Sequence, residues 1–197
     1  VRNDRVIWAS CMVACGDADG AVTGNTRRFG ASLEKIKQVV EARSGEIMFG
    51  LNLVVHKGKT IFVGDTSVHE YPTSEQMSEM AISAARVVRL FGFVPKVAFV
   101  SHSTFGQPLT SRTKHIKNAV EILKEKNVDF EFDGDMQPDV ALNQEYEELY
   151  PFAKIVGKAN ILIMGFTFKE NCSDIRNTKI INLIEGIRKF SKNIDVY

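Results

Sequence analysis

The sequence predicts a three-layer α/β/α fold in which a mostly parallel sheet is covered by helices on both faces. Short β-rich runs alternate with helical segments along the chain, and this alternation is typical of parallel sheets. The longest apolar run, 161–168, has the length of a buried strand rather than of a membrane span. Polar loops that contain glycine lead from strands into helices, as they do where open α/β sheets bind ligands.

The first 63 residues are predicted to form two helices and a β-hairpin. Apolar side chains recur at helical spacing in 2–15 and 26–42, and the glycine-rich loop 16–24 separates these two segments. In the first segment the residues at this spacing are Val6, Ile7, Ala9, Met12 and Val13. In the second helix we expect these apolar side chains to lie inward: Phe29, Leu33, Ile36, Val39 and Val40. The β-rich runs 47–55 and 60–63 flank Lys57-Gly58, which predicts a hairpin turn.

The rest of the chain is predicted to alternate between helices and strands. A helix begins at 72–75 and ends at Gly92, because Ser or Thr can cap its first turn and Glu75 favours the helix dipole. The segments that follow are a strand at 97–100, a helix at 111–126, a strand at 130–132 closed by Asp133-Gly134, a short helix or turn at 136–142, a strand at 161–164, a helix at 180–190 and a strand at 194–197.

Composition excludes several classes of function. Hydrophobic residues make up 44% of the 197 and the formal net charge is +1, so no basic surface for nucleic acid is predicted. The three cysteines form no CxxC pair, which disfavours a disulfide framework or a zinc site and favours a cytoplasmic location. No segment suits a membrane span or a secretory signal. Because the chain begins with Val1, we expect it to be a fragment of a longer protein.

Two loops have side chains that suit a ligand. Residues 101–106 follow a strand and offer three hydroxyls and a glycine, which suit phosphate or another anion, although a polar turn has the same composition. His102, in this loop, is the histidine best placed for a role. Asp17 and Asp19 could bind a cation or hold a glycine turn, and the turn is the favoured interpretation, so no metal is predicted. The acid-rich run 133–139 is interpreted as a turn and a helix start.

Six segments, taken in order, resemble the phosphate acetyl/butyryl transferase family. They are GDADGAVTG at 16–24, FVGDT at 62–66, PTSE at 72–75, SHSTFG at 101–106, DGDMQPDVAL at 133–142 and GKAN at 157–160. Within that family the chain is similar to the carboxyl-terminal domain of large bacterial malic enzymes, on the strength of residues 23–27, 103–106 and 139–143. The resemblance implies a phosphotransacetylase-like fold, related to that of isocitrate and isopropylmalate dehydrogenases and incomplete here.

The resemblance also implies a ligand and a role. Acetyl-CoA, another acyl-CoA or phosphate is expected at Asp17, Asp19, Gly20, Thr23, Ser103, Thr104, Gly106 and Asp139. Asp133 and Gln137 would line the same cleft as lesser candidates. No catalytic residue is assigned, because the Ser-Arg pair and Asp of phosphotransacetylases belong to a later segment. In malic-enzyme relatives the domain senses acetyl-CoA and helps to form a homo-oligomer, while NAD(P) binds in upstream domains.

The string GFTFKENCSDIRNTK at 165–179 has a different resemblance. On its residues alone, Lys169 and Arg176 could hold a diphosphate, or they could belong to a charged helix start. The string resembles the opening of the third domain of UDP-glucose/UDP-N-acetylmannosamine dehydrogenases. That resemblance implies that Lys169 and Arg176 contact a UDP-sugar, and that Cys172 is not the catalytic cysteine of those NAD-dependent enzymes.

Two family resemblances in one chain predict a chimaera. We expect a phosphotransacetylase-like fragment at 1–160 and a nucleotide-sugar dehydrogenase fragment at 161–197, joined inside a strand that suits both. The leading function is an acetyl-CoA-sensing fragment of a malic enzyme, which converts malate to pyruvate, with no complete active site of its own. The alternatives are a phosphate acetyltransferase, a UDP-sugar-binding dehydrogenase fragment, and a truncated domain that binds nothing well. The grafted helix was not selected to pack here, so we also expect lower stability.

Overall fold

The protein is described from a computed structural model, which describes residues 4–24, 26–107 and 110–164. The strands are β1 (Leu51–His56), β2 (Lys59–Gly64), β3 (Lys96–Val100), β4 (Glu131–Met136) and β5 (Ile161–Met164). The helices are α1 (Arg5–Cys15), α2 (Phe29–Lys37), α3 (Ser74–Leu90), α4 (Ser111–Glu125) and α5 (Pro138–Leu142), followed by a 3-10 turn at Gln144–Tyr146. The segments predicted at 180–190 and 194–197, and Lys169, Cys172 and Arg176, lie outside the described residues.

The five strands form one sheet in the order β1-β2-β5-β3-β4. β1 and β2 are the antiparallel hairpin predicted from Lys57-Gly58, and both turn residues have positive φ. β5 lies between β2 and β3 and runs parallel to both, while β3 runs parallel to β4. The prediction of a mostly parallel α/β sheet is therefore confirmed.

Local capping explains where the two long helices begin. Thr73 accepts a hydrogen bond from the Gln76 amide and Gln76 Oε1 accepts one from the Thr73 amide, which forms a capping box at the start of α3. Thr110 and Thr113 make the equivalent pair of bonds at the start of α4. Each pair satisfies amides that have no partner within the helix, so both helices start at a defined residue on one face of the sheet.

Strand side chains alternate between two apolar clusters, one on each face of the sheet. In β3, Val97 and Phe99 pack against α3 and α4, whereas Ala98 and Val100 pack against α5 and the segment that follows it. The first cluster also includes Phe62 of β2 and Ile161 and Ile163 of β5. Burying one side chain of this size contributes about 1.5–3 kcal/mol, so the fold depends on both faces being covered.

The structure corrects three local predictions. The second helix covers Phe29–Lys37 instead of 26–42, and Phe29 is 53% exposed because α2 packs only along its Ser32–Ile36 side. Asp133-Gly134 lies within β4 instead of closing it. The glycine lets β4 approach β3 closely at this position, because its φ is 147° and a Cβ there would lie 2.7 Å from the Phe99 carbonyl oxygen.

Within the described residues, none of the helices has the length and the apolar character to cross a bilayer.

Candidate functional site

The carboxyl ends of β3 and β4 meet at the loop that leads into α4. The Ser101 amide donates to the Met136 carbonyl oxygen at 3.0 Å, and the Phe105 amide donates to the Asp135 carbonyl oxygen at 2.6 Å. The Gln137 amide in turn donates to Thr104 Oγ1 at 3.2 Å. These bonds hold the predicted 101–106 loop over the end of β4, where open α/β sheets place their ligands.

Asp135 is the buried centre of this region. Its carboxylate accepts hydrogen bonds from the hydroxyls of Ser103 and Ser101 and from the Gly106 amide, the last at 3.0 Å. Ser103 is itself buried, and its amide donates to Ser101 Oγ. Two predicted ligand residues, Ser103 and Gly106, therefore bind a protein carboxylate and hold the loop in one conformation.

Sequence reasoning missed Asp135 and singled out Asp133 instead. Asp133 accepts bonds from the amides of Gly134 and Lys154, so it fixes the following segment against β4. Alternation along the strand could not have identified Asp135, because the register of β4 shifts there: Gly134 pairs with Phe99 and Met136 with Val100, which leaves Asp135 between the two pairs. The interpretation of 133–139 as a turn also placed this residue outside any strand.

An open cleft lies beside this network. Its volume is about 460 Å³, and it is lined by Thr104, Phe105, Gln107, Gln137, Leu149, Tyr150 and Phe152. The ring centroids of Phe105 and Tyr150 are 5.5 Å apart and those of Phe105 and Phe152 are 5.0 Å apart. Gln137 is fixed at the rim, because its Nε2 donates to the His102 carbonyl oxygen at 2.9 Å. The cleft combines aromatic walls with amide and hydroxyl groups, which is the usual composition of a small-molecule site.

The structure places the other predicted ligand residues elsewhere. Asp17, Asp19 and Gly20 are exposed in the loop after α1, and Thr23 lines a separate cavity of about 170 Å³ between α1 and α2. Asp139 is exposed in the first turn of α5. In the parts of the chain that the structure describes, no group of three or more His, Cys, Asp or Glu side chains is placed to hold a metal ion.

A second buried carboxylate, Asp65, follows β2. Asp65 Oδ1 accepts from the amides of Gly50, Ser67 and Val68, and Oδ2 accepts from the His69 amide and from His69 Nδ1 at 2.7 Å. Burial raises the pKa of Asp65, but the Gly50 amide, His69 and the other amides outweigh it and hold the pKa below its usual range. Asp65 therefore fixes the loop after β2 as an anion.

The fold is an open α/β domain with polar loops at the carboxyl ends of its strands, and comparison with known sequences identifies its family. Residues 1–165 match the sequence profile of the phosphate acetyl/butaryl transferase family, and the chain belongs to that family. Residues 162–197 match the UDP-binding domain of the UDP-glucose/GDP-mannose dehydrogenase family. Both resemblances expected from the sequence are confirmed.

Proteins similar to this chain are named either malic enzymes or phosphate acetyltransferases. The chain is 43% identical over 164 residues to an NADP-dependent malic enzyme of Rhizobium meliloti, a match that covers 83% of this chain and 22% of the relative. It is 37% identical over 174 residues to a probable NADP-dependent malic enzyme of Rickettsia prowazekii, with 83% and 23% covered. A phosphate acetyltransferase of Nitratidesulfovibrio vulgaris is 29% identical over 165 residues, with 83% and 23% covered. The chain thus spans between a fifth and a quarter of the length of these relatives.

Two solved structures share the fold. A phosphotransacetylase from Streptococcus pyogenes superposes with a TM-score of 0.74 at 22% identity, covering 93% of this chain and 54% of the other. The EutD phosphotransacetylase from Staphylococcus aureus gives a TM-score of 0.70 at 22% identity, covering 94% and 55%. The expected phosphotransacetylase-like architecture is confirmed.

Proposed function

We propose that residues 1–160 form a ligand-sensing domain of a malic enzyme, which binds acetyl-CoA and carries no complete active site of its own. In this proposal malate is converted to pyruvate, with NAD(P), in other domains of the whole enzyme. The observation that carries the proposal is the cleft beside Thr104 and Gln137. The family motifs 101–106 and 133–142 meet at this cleft, and several relatives are named malic enzymes.

The site is built to bind rather than to react. Ser103 and Gly106 are engaged by the buried Asp135, so a ligand would meet a loop that is already ordered. Thr104 reaches the cleft, and its hydroxyl accepts from the Gln137 amide; among the described residues it makes no hydrogen bond to a basic side chain. A hydroxyl without a base is a weak nucleophile, which favours a sensing role over acyl transfer.

Calorimetric titration of the 197-residue chain with acetyl-CoA tests the proposal. We expect saturable binding that the Thr104→Ala variant weakens, because Thr104 lines the cleft and orders Gln137. The matched control is Thr60→Ala, in β2 and outside the cleft lining, which should leave the affinity unchanged. Absence of acetyl-CoA binding, or equal affinity in both variants, would contradict the proposal.

Phosphate acetyltransferase activity is the second candidate, favoured by a relative and by solved structures that carry that name. Formation of acetyl phosphate from acetyl-CoA and phosphate can be followed in a coupled assay. The expected result is no turnover above background. Turnover that depends on this protein would replace the sensing role with a catalytic one.

A UDP-sugar is the third candidate ligand, and the family match at 162–197 favours it. Lys169 and Arg176 would hold the diphosphate of the ligand, since two cations at a strand-end loop suit two phosphates. Titration with a UDP-sugar should give binding that is lost in Lys169→Ala and kept in Lys179→Ala, a control in the same segment. Equal binding by both variants would exclude this use of Lys169.

The domain boundary, the location and the assembly belong to the same proposal. The chain is a junction of two coding sequences inside the strand at 161–164, and the protein works in the cytoplasm as a homo-oligomer. Sequencing the locus from intact DNA tests the junction: one uninterrupted reading frame through codon 165 in several isolates would rule out an assembly artefact. Sedimentation velocity tests the homo-oligomer, because a single species of 22.0 kDa would contradict oligomer formation.

A further inference from the structure

The first helix, α1, packs against α2 along one of its faces. The residues of α1 on that face line the cavity between the two helices: Val6, Ala9, Ser10 and Val13. The other side of α1 carries three sulfur-bearing side chains, Cys11, Met12 and Cys15, and each of them is at least partly exposed. Both cysteines are free. This side of the helix therefore offers two thiols and a thioether to solvent.

The spacing of the two cysteines suits a bridging metal ion better than a disulfide. Cys11 and Cys15 are four residues apart on one helix, and Cβ atoms at this spacing are about 5–6 Å apart. A disulfide needs Cβ atoms about 3.5–4.5 Å apart, so the helix holds the two thiols too far apart for a direct S–S bond. A metal–thiolate bond is about 2.3 Å long, so one ion reaches two sulfurs that are about 4.5 Å apart.

The backbone that carries the pair is fixed at the end of α1. Gly16 ends the helix with a φ of 79°, and its amide donates to the Val13 carbonyl oxygen at 3.1 Å. The Asp17 amide donates to the Met12 carbonyl oxygen at 2.8 Å. These bonds satisfy carbonyl groups that have no partner within the helix, so Cys15 belongs to an ordered last turn. A metal ion would meet thiols that the backbone already places side by side.

The number and the softness of the ligands select the metal. Structural zinc sites have four ligands, and within the described ranges of the chain no set of three or more His, Cys, Asp or Glu side chains could hold an ion. Thiolates and thioethers are the ligands that copper(I) prefers, and about two or three of them satisfy this singly charged ion. Met12 can supply the third sulfur, because its side chain is flexible and 39% exposed and lies three residues before Cys15.

We propose that Cys11, Met12 and Cys15 form a copper(I) site on the exposed side of α1. The two thiols give up their protons when they bind the ion, and the thioether completes the coordination. The site shares no residue with the cleft beside Thr104 and Gln137. The inference therefore stands whether or not that cleft binds acetyl-CoA.

Trp8 gives this site an optical signal. It is the only tryptophan of the chain, it is 57% exposed, and it lies three residues before Cys11, on the same side of α1. A copper ion bound at Cys11 should therefore quench the fluorescence of the indole. Because the chain has no other tryptophan, a change in this emission reports on α1.

The test is an anaerobic titration of the 197-residue chain with copper(I), in competition with the coloured copper(I) chelator bathocuproine disulfonate. We expect one ion per chain and a fall in tryptophan fluorescence that is complete at that ratio. Cys11→Ser and Cys15→Ser should each weaken binding by at least about 100-fold, since even residues that only support a metal ligand contribute about 10–100-fold. Met12→Leu should weaken it by about tenfold. The matched control is Cys172→Ser, which removes the third cysteine and should leave the affinity unchanged.

Other results overturn the copper(I) site. They are equal affinity in the wild type and Cys15→Ser, a loss of affinity in Cys172→Ser, and unchanged tryptophan fluorescence at saturation. Zinc bound as tightly as copper(I) also overturns it, because two thiols and a thioether do not complete a zinc site. Unchanged affinity in Met12→Leu overturns the three-sulfur coordination. Cys15 is exposed, so Cys15→Ser should melt at the temperature of the wild type, and its weaker binding then reports the loss of a ligand rather than of the fold.

Discussion

Replacing Asp65 by asparagine tests the buried anion that holds the loop after β2. The substitution conserves the shape of the side chain but replaces one carboxylate oxygen by an NH2 group. If Oδ1 keeps its three bonds from the amides of Gly50, Ser67 and Val68, the new NH2 faces the His69 amide and His69 Nδ1. The bond from the His69 amide is then lost because donor meets donor, whereas the imidazole can keep a bond in the tautomer whose Nδ1 accepts.

The expected loss of stability follows from the bond of the His69 amide. A hydrogen bond to a charged acceptor contributes about 1.5–3 kcal/mol. The His69 side chain is partly exposed and can change its tautomer or turn toward water, so its own bond is not counted as lost. The free energy of unfolding should therefore fall by about 2 kcal/mol at neutral pH. With a urea dependence of about 2 kcal/mol per molar, the midpoint should fall by roughly 1 M.

The effect should also depend on pH in a defined direction. The folded state lowers the pKa of Asp65 below its ordinary value of 3.8, so the unfolded state binds more protons in the acid range. The stabilisation by the carboxylate is complete above 3.8 and is lost as the pH falls through the folded pKa. The wild type and the Asp65→Asn variant should therefore converge in stability in acid.

Urea denaturation followed by circular dichroism measures both effects. The control is Asp129→Asn, whose carboxylate pairs with Arg89 at 2.9 Å but is 79% exposed, so the midpoint should stay within error. Equal midpoints for wild type and Asp65→Asn at neutral pH would refute the role of the buried anion. So would a difference that stays constant down to pH 2, since a constant difference would arise from shape rather than charge.

Three further variants test other parts of the fold. Gly157→Ala should lower the free energy of unfolding by at least about 2 kcal/mol in thermal melts, because its Cβ would lie 2.6 Å from Gln144 Cα at a φ of 69°. The control Gly58→Ala, at a φ of 76° and with open space around its Cβ, should lose only about half as much stability. Equal losses in the two variants would contradict the clash at Gly157. Asp4→Ala removes the cap of α1 and its ion pairs to α2, so hydrogen exchange should accelerate in those helices and not in α3. Asp135→Ala leaves three donors without their acceptor, so acetyl-CoA affinity and the melting temperature should fall together. If both stay unchanged, Asp135 does not hold the loop at 101–106.

The parallel half of the fold was predictable because its signals are local and strong. The capping residues at 72–75 and the continuous apolar runs of β3 and β5 each specify one kind of element. The end of α2 was less predictable, because the apolar spacing continues to Val40 although the helix stops at Lys37. The spacing of apolar residues indicates which side chains could share one face of a helix. It carries no information about the length of the surface against which that helix packs.

The candidate site was predictable only in part. The loop at 101–106 could be placed at the end of a strand, because strand and helix signals lie on both sides of it. The wall formed by Tyr150 and Phe152 could not, since those residues lie in a segment without periodicity and reach Phe105 only through the fold. The binding role of Asp17, Asp19, Gly20 and Thr23 remains a prediction, as does that of Ser103, Thr104, Gly106 and Asp139.

The strand order has a consequence for synthesis on the ribosome. β5 is the last of the described strands to be made, yet it pairs with β2 on one side and β3 on the other. Until Ile161–Met164 leaves the exit tunnel, the nascent chain can form only the β1–β2 hairpin and the β3–β4 pair, two separate halves with exposed apolar edges. We therefore expect co-translational folding to be delayed until about the last fifth of the chain emerges. The strand that joins these two halves is also the one in which the two family sequences meet.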